Sequence, residues 1–574
     1  MNILQKGYLY FNTVKYLKKR QIVYQLRYRA FGYAYPDSAS VYKGYLNNFM
    51  MAVPDLDLDE GYIERFCIED LLDNRITLLY ESVVWKPGKW EDKEKNHLWN
   101  FNLHYLEYFI VLAGAYRRSW NMRYVRKMKE LYLDWHQCFE RKKYKDAWHP
   151  YTSSLRIVNL FICMDLLGDI LAGDSDFWNI LLQDQYRTYL FIRKNRERNL
   201  LGNHYFENLC AVYIASVFFK EDRISDRYER LLIKEAGEQI LRDGMHYERS
   251  LMYHNLILED FMRIELAAQQ REKKNEQFIG VIRDCIYRMA DAVYSLERGN
   301  DARLPLFNDT GSNIAKSPDQ LLKAAGRDVN YSPRLKYSFS EAGYFILENK
   351  EIRVIFDCGE IAPDYITGHG HCDALSFELY CRSIPVLVNA GTFQYQTSLR
   401  RFFRSDCAHN TVRVNGEDQS ECWGEHRTAR RVKILEVQDH TPSNVTGVIE
   451  TYKGVKIKRR IELSEKGISL KDKIWGLQRK GSSISSYFRV HPRFKVKAGR
   501  KGNVMLISYE ESRLQFAIEA DRGSWILHRD DLCHYSEQFG VREKTDVLEL
   551  YQEPGEDRLN QCITISIVEV NTDD

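Results

Sequence analysis

The sequence predicts a two-part α + β chain, a helical region followed by an antiparallel β-sandwich. Three observations carry this. Apolar residues recur at three- and four-residue spacing from about residue 60 to 330, the period of a helix with one buried face. Beyond about residue 342 they alternate with polar ones, the period of a half-buried strand. No helical stretch separates these later runs, so the strands pair antiparallel instead of forming a parallel sheet with crossover helices.

Residues 1 to 55 form a basic, aromatic and partly helical segment, as in "YLKKRQIVYQLRYRA". It reads either as a solvated helix packed on the main domain or as a helix lying on a membrane surface. Residues 56 to 335 contain "LHYLEYFIVLAGAY", "LRIVNLFICMDLLGDILAG", "FENLCAVYIASVFF" and "LILEDFMRIELAAQ", separated by short Gly, Asp and Asn breaks. That punctuation predicts antiparallel helical hairpins, and no repeated motif indicates a solenoid. Tyr and Trp gather near the breaks in "HLWNFNLHY" and "DAWHPYTSSLR", where they either line a sugar groove or seal helix ends. Residues 336 to 574 hold the short alternating runs "GYFILEN", "IRVIFDCG", "LSFELYC", "NTVRVNG", "VKIKRRIEL", "LQFAIEA" and "QCITISIVEV".

A chain of 574 residues is too long for one core and should divide into domains. Its 44% hydrophobic and 28% charged content is that of a globular protein. With 83 basic against 80 acidic residues, the net charge of +3 excludes a general nucleic-acid binder and leaves polyanion contact to local clusters. The twelve cysteines show no CxxC spacing and read as reduced, buried thiols. No segment approaches the ~20 apolar residues of a membrane span. The first residues lack an unbroken apolar run and a small-residue cleavage site, so no export signal is expected in them. Nothing in the sequence sets an oligomeric state.

Four stretches carry more polar chemistry than their patterns require. In "LLGNHYFENLCAVY", Asn203 precedes an apolar-periodic helix and is expected to cap it; the same position, beside free helical N–H groups, suits the binding of a carboxylate. In "DGMHYERSLMYHNLILEDF", a helix opened by Asp243 and Gly244 would place His246, Ser250 and Tyr253 on one polar stripe, with His254 on the apolar one. Tyr253 is therefore the catalytic candidate there. In "TGHGHCDALSFELY", His369 and His371 stand two apart and face one side of an extended segment, as a metal clip or as acid and base. Two histidines fall short of the three protein ligands that zinc wants. The stretch "LVNAGTFQYQTSLRRFFRSDCAHNTVRVNGEDQSE" adds Asn389, His409 and the arginines Arg400, Arg401 and Arg404, candidates to attract an acidic polymer.

Together, "NHYFEN", "DGMHYERSLMYH", "HGHCDALSFEL" with "VLVNAGTFQY", and "RFFRSDCAHNTVRVNGEDQSE" are similar to the heparinase II/III family of polysaccharide lyases. With "WNFNLHYLEY" and "WHPYTSSLRIVN" upstream, the resemblance runs from about residue 98 to 425. It implies an incomplete α/α toroid of helical hairpins, an antiparallel β-sandwich, and an active site in the groove between them.

The resemblance also implies cleavage of an acidic, uronate-containing polysaccharide by β-elimination. The C5 hydrogen of a uronate is a weak acid because its carboxylate is already anionic, so that carboxylate must first be neutralised. The resemblance gives Asn203 this role, places Tyr253 and His369 at the base and acid positions, and makes His204, Arg156, His104 and Arg404 glycan-binding candidates. Same-face elimination allows one tyrosine to serve both steps, opposite-face elimination calls for histidine and tyrosine on either side, and the sequence leaves that open. No cofactor is needed for this chemistry. Some members hold a structural zinc with the residues matching His371, position 389 and His409. Here Asn389 replaces an aspartate, so either two histidines hold an ion weakly or hydrogen bonds take its place. The resemblance implies the cell envelope, against an N-terminus without an export signal. Three alternatives remain open: a uronate epimerase; a glycoside hydrolase using Asp309 with Glu248 or Glu207; and a non-catalytic glycan-binding or assembly protein.

Overall fold

The computed structural model describes residues 3–568 apart from 38–39, 45–48, 141–143, 299–302, 479–480, 510 and 512. The chain opens with helices α1 (Ile3–Val14) and α2 (Lys19–Phe31). The helical domain then runs as hairpins through α3 (Tyr108–Ser119), α4 (Met122–Glu140), α5 (Pro150–Leu166), α6 (Ser175–Asn195), α7 (Gly202–Phe218), α8 (Asp222–Gln239), α9 (Leu251–Gln269) and α10 (Glu276–Glu297). α3, α5, α7 and α9 pack successively on one another as an inner layer, and α4, α6, α8 and α10 back them. This layering is an incomplete α/α toroid. Composition assigns the layers: α7, apolar on every side, is buried almost end to end, whereas α8 buries Tyr228, Leu232 and Ala236 and turns Arg223, Arg227 and Arg230 to solvent.

Two helix starts differ from the sequence expectation. α9 begins at Leu251, not Asp243, because the Ser250 hydroxyl accepts the Tyr253 N–H at 3.3 Å and caps the helix. His246 lies upstream in a bridge with Ile240, so the expected His246–Ser250–Tyr253 stripe does not form. Nor does Asn203 cap α7. Leu201 and Gly202 turn the chain with left-handed φ of 67° and 58°, leaving Asn203 inside the first turn. Gly202 is required there: a Cβ would overlap Ile366 and lie 2.6 Å from Glu248 Oε1, on a backbone that disfavours any side chain. A hairpin of Arg75–Leu78 with Glu81–Val84 also interrupts the helical region, where only helices were expected.

The β domain starts at Ser338, after the last helical turn at Ala325. Among the described residues, a five-stranded meander contains β1 (Tyr344–Glu348), β2 (Ile352–Asp357), β3 (Phe377–Cys381) and β4 (Ile384–Leu387). It shares one apolar core with a four-stranded and an eight-stranded sheet, and every strand pairing is antiparallel. "IRVIFD" is buried at every position because β2 has two covered faces. Val354 and Phe356 enter the sandwich core, whereas Ile355, with Ile346 and Tyr344, packs on Met245, Leu251 and Leu296 of the helical domain. The sheet is therefore itself the interdomain surface, and the loops leaving it face the inner helices.

Most of the twelve cysteines are buried, and no described helix is long and apolar enough to cross a membrane. If the β2 face welds the domains, Ile355→Ala should destabilise the chain by about 2–4 kcal/mol in denaturant titration. Half-exposed Ile526→Ala should change stability by no more than about 0.5 kcal/mol.

Candidate active site

A cavity of about 930 Å³ opens between the domains. The first turns of α5, α7 and α9 line it through Tyr151, Asn203, His204 and Tyr253, and the β domain contributes His369, Tyr395 and His426. Three helix N-termini thus border one space, a field that favours negative charge.

At its back lies a buried carboxylate. Asp309 accepts from His369 Nδ1 at 3.0 Å through Oδ2 and from His371 Nε2 at 2.8 Å through Oδ1, and Arg400 grips both oxygens, Nη2 at 2.7 Å from Oδ2. Burial alone would push this carboxyl up; Arg400 and the two histidines outweigh it and hold the group well below the carboxylate range. Asp309 is therefore ionised and, in the neutral ring, favours the tautomer with the His369 proton on Nδ1, which leaves Nε2, 3.7 Å from Glu248 Oε2, as the acceptor. Backbone contacts set the approach. The Asp309 N–H donates to His369 O at 3.0 Å, Asn308 Oδ1 accepts the His371 N–H at 2.8 Å, and Asp373 Oδ2 accepts the Asn308 N–H at 2.8 Å. Asp373 is thus structural. Glycine between the histidines is also structural, since a Cβ on Gly370 would overlap Ile361.

Tyr253 stands beside His369, ring centroids 3.9 Å apart, and its hydroxyl lies 2.9 Å from that of Tyr395. Burial, then Tyr395 and Asp309, raise the Tyr253 pKa well above 10, so the phenol keeps its proton. Asn203 donates its N–H to Glu248 Oε1 at 3.0 Å, and its side-chain oxygen has no hydrogen-bond partner. Next to it, His204 Nδ1 contacts Glu197 Oε1 at 3.0 Å, while the Tyr151 ring packs on the imidazole at 4.3 Å. Burial works against a charge on His204, but Glu197 prevails and raises its pKa above 6.5. On the floor, burial lifts Glu207 to about 7 and holds the hydrogen-bonded Asp260 well above its usual range, so the pair shares a proton and carries less charge than two free carboxylates.

Asn203, His204, Tyr253 and His369 are thus brought together. Three other binding candidates are not. His104 is buried, its Nδ1 accepting from Trp135 Nε1 at 3.1 Å. Arg156 is buried behind it, donating to His104 O and Ser153 Oγ at 3.2 Å and lying 5.0 Å from the Trp135 ring. Arg404 spends its guanidinium on the carbonyls of Gly370 (3.0 Å) and Thr367 (3.2 Å), so it shapes the histidine loop instead of meeting a polymer. Arg400 is likewise consumed by Asp309, and of the three arginines Arg401 alone is exposed.

His371, Asn389 and His409 do converge, with the two imidazoles 5.3 Å apart. His409 Nδ1 and Asn389 Oδ1 lie 3.0 Å apart, so the amide oxygen is engaged. His371 Nδ1 and His409 Nε2 lack hydrogen-bond partners, and burial keeps both rings neutral. Two imidazoles and an occupied amide do not supply the three or four ligands of a zinc site. Among the described residues, no three His, Cys, Asp or Glu side chains are grouped to hold a metal.

The profile described as heparinase II/III N-terminus matches residues 74–327, and that of the heparinase II/III-like C-terminal region matches residues 332–564. The chain belongs to the heparinase II/III family. A heparin-sulfate lyase of Bacteroides thetaiotaomicron is 24% identical over 457 residues, which cover 69% of this chain and 62% of that protein. A heparin-sulfate lyase of Pedobacter heparinus is 21% identical over 361 residues, covering 57% and 53%. The chain therefore spans under two thirds of these relatives' lengths. In fold, a crystal structure of heparinase III superposes with a TM-score of 0.72 at 18% identity, covering 96% of this chain and 92% of that one. A mutant of the heparan sulfate lyase HepC from Pedobacter heparinus gives 0.61 at 15% identity, covering 96% and 88%.

Within this heparinase II/III fold, Asp309, Arg400, Tyr395, Glu197 and Glu248 are the polar residues whose roles the sequence did not assign. Asp309 and Glu248 read there as hydrolase acids and Arg400 as a surface cation. Asp309 and Arg400 stand 91 positions apart, and only their shared burial reveals the pair.

Proposed function

We propose that the chain is a polysaccharide lyase that cleaves a uronate-containing acidic glycan by β-elimination. The observation that carries this reading is the Asp309–His369 pair set beside a protonated Tyr253, next to a carboxylate clamp. The uronate carboxylate sits between the Asn203 amide and the His204 imidazolium, which neutralise the charge that would oppose proton loss. His369 Nε2 takes the C5 proton, the pair of that C–H bond becomes the C4–C5 double bond, and the C4–O bond breaks. Tyr253 gives its proton to the departing oxygen. The phenol is held protonated and the imidazole keeps a bare nitrogen, which supports His369 as base and Tyr253 as acid. The two ring centroids lie 3.9 Å apart with their planes tilted by 36°, so both groups are placed to meet the sugar from one side. Removal of proton and leaving group from one face suits glucuronate, in which H5 and O4 share a face, over galacturonate or iduronate.

The hydrolase pairing of Asp309 with Glu248 or Glu207 is not supported, since Glu207 is hydrogen-bonded to Asp260 on the cavity floor. Asp309 is fully buried and saturated by Arg400 and both histidines, and Glu248 is buried behind Asn203. A pure binding module has no use for an acid–base pair of this kind.

Incubated with a panel of uronate polymers, the protein should shorten glucuronate-containing chains while ultraviolet absorbance from the new double bond rises. Tyr253→Phe should lower that rate by about 10²–10⁴-fold with glycan binding retained. Shortening without absorbance would make it a hydrolase, inversion at C5 without shortening an epimerase, and inertness on every polymer a binding protein.

The clamp has its own signature. A raised pKa keeps His204 cationic below that value and lets the charge go as pH rises through it, so kcat/KM should fall on the alkaline side. In Glu197→Gln the remaining burial favours the neutral ring, and the alkaline limb should move to lower pH with KM up about tenfold above neutrality. An unmoved limb would remove His204 from the clamp.

A further inference from the structure

The two N-terminal helices carry exposed apolar and cationic side chains, most of them outside the active-site cavity. Residues 1–36 contain seven Lys and Arg and no Asp or Glu. On α1, Leu9 and Asn12 point inward, whereas Ile3, Leu4, Phe11 and Val14, on the opposite side of the wheel, face solvent. Ile3, Leu4 and Phe11 are 88%, 83% and 68% exposed, and on α2 Val23, Leu26 and Phe31 are 60%, 61% and 82% exposed. Of the 21 exposed large apolar side chains among the described residues, ten fall within 3–31, a concentration that scattered surface residues do not produce.

The hairpin is firmly seated, so this face is not one left over from poor docking. The Trp423 indole donates to Thr13 Oγ1 at 3.0 Å and its ring meets Tyr10 edge-on at 4.8 Å. Gln21 donates to Leu200 O at 3.2 Å and Tyr365 O at 3.1 Å, and Tyr28 donates to Arg196 O at 2.6 Å. Of the seven cations, Lys18 and Arg20 pair with Glu238 and Glu235. The other five, Lys6, Lys15, Lys19, Arg27 and Arg29, make no ion pair with a described residue.

We propose that α1 and α2 form a docking surface for an anionic lipid bilayer. Ile3, Leu4, Phe11, Val23 and Phe31 enter the boundary between headgroups and acyl chains, and the unpaired Lys6, Lys15, Lys19 and Arg27 meet lipid phosphates. The pairing of aliphatic side chains with unopposed positive charge selects this occupant. Ile, Leu and Val offer a hydroxylated polyanion nothing, and a second copy would bring like charges together. α2 also walls the active-site cavity through Gln21, Ile22, Gln25, Leu26 and Arg29, so docking would hold the groove beside the bilayer, within reach of glycans tethered there.

The test is co-sedimentation of the full chain with vesicles of phosphatidylcholine alone and of phosphatidylcholine with phosphatidylglycerol. Binding should favour the anionic vesicles at least about tenfold, weaken with added salt, and fall at least about tenfold in Leu4→Ser/Phe11→Ser and in Lys15→Glu/Lys19→Glu. These side chains are solvent-facing and lie outside the cavity, so the thermal midpoint should not move. Absence of vesicle binding in the folded wild type, or equal binding to both vesicle types, would overturn the proposal. So would a dimer by light scattering that Phe11→Ser dissolves, or retention on an immobilised uronate polymer, lost in Leu4→Ser/Phe11→Ser, in place of vesicle binding.

Discussion

The structure depends on one buried carboxylate. Removing a carboxylate from water costs several kcal/mol, and the fold tolerates it only because Arg400, His369 and His371 together satisfy Asp309. The two histidines come from one loop of the β domain and Arg400 from a short helix, Arg400–Phe403, while Asp309 comes from the turn that follows the last toroid hairpin. Ser250 and Thr310 lash that same turn to the start of α9, which carries Tyr253. A single charge thus ties His369, Tyr253 and the domain junction into one network, in which losing one partner leaves the others unpaired in a low-dielectric interior.

Around this anchor, burial does most of the tuning. It holds the Tyr253 phenol protonated and raises the pKa values of the hydrogen-bonded Glu207–Asp260 pair on the floor. Where the site needs positive charge, a buried partner reverses the trend, as Glu197 does for His204. The buried arginines Arg156, Arg400 and Arg404 shape the loops and helices of the groove, whose lining at the helix starts is aromatic, imidazole and amide side chains.

Much of this architecture was legible in the sequence, because periodicity reports burial directly. The α7 stretch "NLCAVYIAS" announces an inner helix, and "IRVIFD" a strand covered on both sides. Asn203, Tyr253 and His369 were reached through motif resemblance, since their helical or extended spacing alone leaves several roles open. The starts of α7 and α9 were misjudged because a left-handed Leu201–Gly202 pair and the Ser250 cap decide them, and neither follows from apolar period. The family resemblance makes Arg156 and Arg404 glycan-binding candidates, but the structure buries both. Their direction depends on which face of the element meets the core, and Arg156 lies beside Ile157 in an apolar run that pointed inward. The Asp309–Arg400 pair had no local signature, because long-range ion pairs are set by tertiary structure.

The measurement that bears most directly on the central claim is the protonation of the His369 ring. With nitrogen-15-labelled histidine, and His369→Gln to assign the signal, the neutral imidazole is expected to carry its proton on Nδ1, hydrogen-bonded to Asp309, and to show an unprotonated Nε2. A proton resident on Nε2 at neutral pH would contradict the account, because Asp309 would then not be orienting His369 as a base.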